Sequence, residues 1–70
     1  MDEQALLHRL SVDTNVNIEL LKDLLHNDEL WALVVAGKST EAIMKLRDLA
    51  PRVGLREAKM VVEAFSAELK

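Results

Sequence analysis

Apolar residues recur along most of this chain at steps of three and four, the period of an amphipathic helix, and no stretch alternates as a half-buried strand would. Leu6, Leu7 and Leu10 fall on one face, behind Asp2 and Glu3 where a first helical turn favours negative charge. Ser11 to Asn15, SVDTN, is rich in side chains that bond the local backbone, so it is expected to end this first short helix and offer caps for the next. In NVNIELLKDLLHND, Ile18, Leu21 and Leu25 form a stripe with Leu20 and Leu24 beside it, the wide face of a core helix. Asn27, Asp28 and Glu29 then make a helix start, a capping side chain followed by acids. The third helix, running to Ala36, carries Leu30, Trp31, Leu33, Val34 and Val35 around most of its circumference and is expected to be nearly all buried. Trp31 then needs a partner for its indole N–H. Leu33 to Val35 would also suit a strand, but a lone strand has nothing to pair with in a chain of this kind.

Gly37 is placed to close the third helix in the left-handed conformation, and Ser39 or Thr40 to cap the fourth. Ala42, Ile43, Leu46, Leu49 and Ala50 form the expected buried face there, and Glu41 and Lys45 stand four apart for an ion pair. Pro51 disfavours helical backbone at Ala50 and ends this element, while Gly54 permits the turn into the last one. Leu55, Ala58, Val61, Val62, Phe65 and Leu69 then give the clearest periodicity in the chain. The pattern predicts one all-α domain over residues 1–70, a compact bundle of about five short helices, the last two forming a helix-loop-helix. Helices of roughly 9–16 residues are too short to persist alone in water, so each depends on burial against the others.

Length limits that burial. A chain of 70 residues removes only about 60% of its unfolded surface from water. Without cysteine it has no disulfide, and a zinc site is not expected, leaving close helix packing or self-association into a homodimer as further sources of stability. The longest apolar run, Leu30 to Gly37, is far short of the roughly 20 residues that span a bilayer. The acidic N-terminus is unlike a secretion signal, so the chain reads as soluble and cytoplasmic, with no membrane partner.

Charge is unevenly distributed. Met1 to Gly37 holds seven acids against two bases, or −5, whereas Lys38 to Lys59 holds six bases against three acids, or +3. This asymmetry either marks a basic binding surface or holds the two halves together. No catalytic set emerges. His8 and His26 have no cysteine or second histidine at ligand spacing, and Asp28 and Glu29 are adjacent on a helix and point apart, where the helix dipole accounts for them. The chain reads as a non-enzymatic protein with no metal or cofactor.

Its one candidate surface lies on the last two helices: Lys45, Arg47, Arg52, Arg56 and Lys59 around Ile43, Met44 and Met60. Methionines flanked by charge suit an adaptable contact surface, although edge-of-core gap filling explains them equally. The reading is a small protein-protein interaction module, an adaptor or an inhibitor, that offers this basic face to an acidic patch of a larger partner. The alternative is a nucleic-acid-associated regulator using the same cations through phosphate contacts. Against it stand the net charge of −3 and the placing of both aromatics, Trp31 and Phe65, on apolar faces away from any base-stacking role. A helix-turn-helix DNA reader is also poorly served, because Met60, Glu63 and Ser66 follow Lys59 on the polar face of the last helix.

Residues EAIMKLRDLAPRVGLREAKMVVEAF resemble the helix-loop-helix of the C-terminal domain of the bacterial ribosomal stalk protein and small stand-alone proteins sharing it. The residues that carry this are Glu41-Ala42-Ile43, Arg47, and Gly54-Leu55-Arg56-Glu57-Ala58-Lys59 followed by Val62 and Glu63. The resemblance implies docking of a translation-related protein, with Ile43, Arg47, Arg56 and Lys59 at matching positions. Met44 stands where that family has a lysine, with Lys45 one place later and so turned by about 100° on a helix. The segment Ala50-Pro51-Arg52-Val53 replaces a threonine-glycine loop, and the strands that complete the family's domain have no counterpart. Lys45-Leu46-Arg47 also resembles, more loosely, the ubiquitin-associated-like domain of elongation factor Ts, which again implies protein binding.

Overall fold

The computed structural model describes residues 2–68, and among them the chain forms five helices and no strand. These are α1 (Glu3–Thr14), α2 (Ile18–Leu25), α3 (Asp28–Val35), α4 (Ser39–Leu49) and α5 (Leu55–Ala67). Helix α5 is central, packing against α1, α3 and α4, while α2 bridges α1 and α3. It contributes Ala58, Val61, Val62 and Phe65 to the core, which they share with Leu6, Leu7 and Leu10 of α1, Leu21, Leu24 and Leu25 of α2, Leu30 and Val34 of α3, and Ala42 and Leu46 of α4. The all-α bundle expected from periodicity is the fold observed.

Local chemistry explains most of the boundaries. Asp2, Asn17 and Asn27 each accept a backbone N–H in the first turn of α1, α2 and α3 respectively, satisfying donors that have no intrahelical partner. Helix α1 runs further than expected, through most of SVDTN. Within the helix, the Thr14 hydroxyl donates to the Leu10 carbonyl at 2.6 Å; toward the chain beyond its end, Thr14 accepts the Val16 N–H at 3.3 Å and the Ser11 hydroxyl donates to the Val16 carbonyl at 2.9 Å. These groups bond the backbone without ending the helix. Asn15 ends it in left-handed geometry, at φ 59°.

Gly37, at φ 75°, closes α3 as predicted. Its N–H bonds the Val34 carbonyl and that of Lys38 bonds Leu33, the paired bonds of a Schellman motif. Ser39 and Thr40, in contrast, lie inside the first turn of α4; Lys38 holds the capping position and supplies no side-chain bond. Gly54 precedes α5 at φ −70°, a backbone any residue adopts, so its expected conformational role is not needed. The α4–α5 connection is a turn closed by the Val53 N–H on the Ala50 carbonyl at 3.0 Å, with Pro51 at its favoured second position.

Burial departs from the expected stripes at element ends. Ile18 and Leu55, at the first positions of α2 and α5, are 37% and 60% exposed, and Leu49 near the end of α4 is 40% exposed. Leu69, assigned to the last stripe, lies outside the described residues. The largest departure is α3. Only Leu30 and Val34 are buried; Trp31 and Leu33 are half-buried, and Ala32 and Val35 are exposed. Eight residues of α3 have core on one side only, so an apolar circumference leaves two of its six apolar residues facing water and two more half-buried. Helices α2 and α3, at 8 residues each, are also shorter than expected.

Trp31 lies against Phe65, ring centroids 5.4 Å apart and nearly parallel, and its indole N–H donates to the Leu25 carbonyl. This joins α3 to α5 and to the end of α2. His26, just past that end, lies 3.0 Å from Glu3 of α1. No described helix is long and apolar enough to cross a membrane.

Candidate interaction surface

The turn between α4 and α5 is anchored from below. Ala50 and Val53 are buried, which leaves Pro51 and Arg52 exposed at the apex. On either side, Leu46 and Ala58 point inward, so Arg47 on α4 and Arg56 and Lys59 on α5 are turned to solvent. Arg47, Arg52, Arg56 and Lys59 are thus all exposed, and among the described residues none has a carboxylate within ion-pair distance.

The other four candidates differ from these. Ile43 is half-buried and packs against the core. Met60, expected to be exposed, is half-buried and lines a cleft between the end of α1 and the start of α5, with Asp13, Asn15 and Arg56. Met44 is 67% exposed, as expected. It borders two open grooves, one with Arg47, Asp48 and Pro51, the other with Leu33, Glu41, Lys45 and Asp48. Lys45 belongs to the second groove and is occupied. Its ammonium lies 2.6 Å from the Glu29 carboxylate of α3, while Glu41, the partner expected from spacing, reaches Lys38 at 3.8 Å.

The Glu29–Lys45 contact has electrostatic consequences. Its hydrogen bond, and secondarily the Lys45 charge, hold the Glu29 carboxyl below its ordinary value of 4.5. The same bond and the charge of Glu29 raise the Lys45 ammonium above 10.5, with a smaller contribution from Asp48.

The predicted basic face is therefore divided. Arg52 lines a cleft of about 270 Å³ against the α1–α2 connection, with Asn15, Asn17, Leu20 and Glu57. Met44 and Lys45 face α3 instead, in an apolar-floored groove of about 430 Å³. Glu29, Leu33 and Asp48 belong to the second environment and were not singled out as site residues from the sequence. Helical spacing relates Asp48 to Met44, four positions earlier, but nothing in the sequence pairs Glu29 with Lys45 across two elements. Among the described residues, no three His, Cys, Asp or Glu side chains gather as a metal site requires. Comparison with protein-family models, with curated proteins and with solved structures finds no match to this chain.

Proposed function

We propose that this chain is a small non-enzymatic interaction module that binds an acidic patch of a larger protein through the end of the bundle where α4 meets α5. One observation carries the reading: Arg47, Arg52, Arg56 and Lys59 are exposed around a turn anchored in the core, with no carboxylate within ion-pair distance among the described residues. Cations held on a fixed backbone and already free of intramolecular partners meet an acidic surface without first breaking internal contacts. The resemblance of this segment to the stalk helix pair points to the same residues and to a translation-related partner.

The test is affinity capture from a nuclease-treated lysate of the source cells, with the Arg56→Glu/Lys59→Glu double variant alongside. A discrete protein retained by the native chain and lost by the variant is the expected result, with helicity by circular dichroism unchanged. Equal retention by both chains removes this surface from consideration. Retention that depends on intact nucleic acid supports the nucleic-acid-associated alternative.

A further inference from the structure

Among the described residues three charged side chains are half-buried: Glu3, Lys45 and Glu57. Glu3 lies 3.0 Å from His26, and Lys45 lies 2.6 Å from Glu29. Glu57 has no cation within ion-pair distance among the described residues, although Arg52 lines one cleft with it and Arg56 another. A carboxylate beside guanidinium groups is ordinarily drawn to one of them, since charge-assisted bonds of this kind are strong. Its isolation needs a cause.

The cause lies at Gly54. Glu57 is the third residue of α5, where the positive end of the helix dipole favours a carboxylate turned back over the first turn. In that position it fills the space of the side chain that Gly54 lacks. A Cβ built on Gly54 would stand 3.0 Å from one Glu57 carboxylate oxygen and 3.4 Å from the other, tighter than ordinary van der Waals contact. The φ of −70° at Gly54 is open to any residue, so the missing side chain serves the carboxylate and not the backbone.

We propose that Gly54 and Glu57 are positioning residues of the basic end of the bundle. Gly54 gives the Glu57 carboxylate its place over the start of α5, which leaves the Arg52 guanidinium unpaired for an acidic partner. This inference rests on the reading of that end as the partner-binding surface. Arg52 is the cation concerned because it lines the cleft of about 270 Å³ together with Gly54 and Glu57. Arg56 directly precedes Glu57 in α5 and so projects about 100° away from it. Asp13, a further carboxylate close to the start of α5, lines the cleft of Arg56 but not that of Arg52. A side chain at position 54 turns the Glu57 carboxylate out into the Arg52 cleft. There it pairs with Arg52 and takes one of the four exposed cations out of use.

The test compares Gly54→Val, Glu57→Gln and the double variant Gly54→Val/Glu57→Gln with the native chain, all intact and isotope-labelled. Valine is chosen because its γ carbons occupy the space that a Cβ alone would only crowd, and circular dichroism checks that each variant folds. The first readout, the Arg52 side-chain Nε–H resonance, needs no partner. It is expected to shift in Gly54→Val and to return in the double variant, whose glutamine has no charge to offer. The second is affinity for a short oligoglutamate peptide, measured by NMR titration against an oligoglutamine peptide of the same length. It is expected to fall roughly two- to fivefold in Gly54→Val, the range of an exposed ion pair, and to equal that of Glu57→Gln in the double variant. If Gly54→Val does not fold, Gly54→Ala, which displaces the carboxylate by a few tenths of an ångström, is expected to give a smaller Arg52 shift that Glu57→Gln again removes. An Arg52 resonance unmoved by the substitution at Gly54 overturns the proposal. So does a shift or an affinity loss that persists in the double variant, because the substitution then acts through the backbone and not through the carboxylate. A native chain that does not distinguish the two peptides overturns the reading of this end as a binding surface; the Arg52 resonance then decides the Gly54–Glu57 contact by itself.

Discussion

Leu46 and Leu55 carry the same side chain within one helix pair, and periodicity assigned both to the core. Leu46 is fully buried and Leu55 is 60% exposed. The difference is positional: Leu46 lies within the span of α4 covered by neighbouring helices, whereas Leu55 is the first residue of α5, beyond its contacts. Leu46→Ala is expected to cost about 2–5 kcal/mol, comparable with the roughly 3–5 kcal/mol that a core of this size supplies. Leu55→Ala is expected to stay within about 0.5 kcal/mol. Urea denaturation followed by circular dichroism measures both, and equal losses would place Leu55 in the core after all. Period therefore identifies the buried face in the middle of a helix, as at Leu21, Leu46 and Val61, and over-assigns it at the ends, as at Ile18, Leu49 and Leu55. The cavity of neighbours that covers a residue is a tertiary property, and no spacing rule contains it.

At the scale of elements, the stop at Gly37 and the cap at Asn27 follow local chemistry and were readable as such. Helix α2, in contrast, is capped by Asn17 and not from the Ser11–Asn15 segment expected to supply its cap, and the pairing of α3 with α4 through Glu29 and Lys45 was not readable. Helical spacing offered Lys45 only Glu41, four residues earlier on its own helix. Packing α4 beside α3 brings Glu29 within 2.6 Å instead. Both groups reach solvent, so this pair is a weak contributor to stability and is screened by salt. Its sign is nevertheless defined. Glu29 is lowered from 4.5, so its contribution is present above that value and is lost as pH falls through the lowered one. Lys45 is raised from 10.5, so its contribution is present below that value and is lost as pH rises through the raised one. A carboxyl titration by NMR is expected to find Glu29 below its ordinary value in the native chain and restored toward it in Lys45→Met. An unchanged midpoint would separate Glu29 from Lys45 in solution.

The whole molecule depends on contacts that the helix-loop-helix alone does not contain. Helix α5 places Ala58, Val61, Val62 and Phe65 in a core whose other walls are α1, α3 and α4, and Trp31 of α3 covers the Phe65 ring. The segment carrying the stalk resemblance therefore presents its cations only while the first three helices support it. Helix α1 contributes Leu6, Leu7 and Leu10, each buried to within a few per cent of completion. At about 1.5–3 kcal/mol per buried leucine, their removal forfeits roughly 5–9 kcal/mol, more than the roughly 3–5 kcal/mol of net stability available. A chain beginning at Asn15 is accordingly expected to lose its cooperative thermal transition, although residual helix persists in the circular dichroism spectrum. The native chain should unfold in one transition, because every helix shares the same core. Retention of a sharp transition by the shortened chain would instead place the stable core in α2 to α5 and make α1 an attached element, its leucines packed against a domain that stands without them.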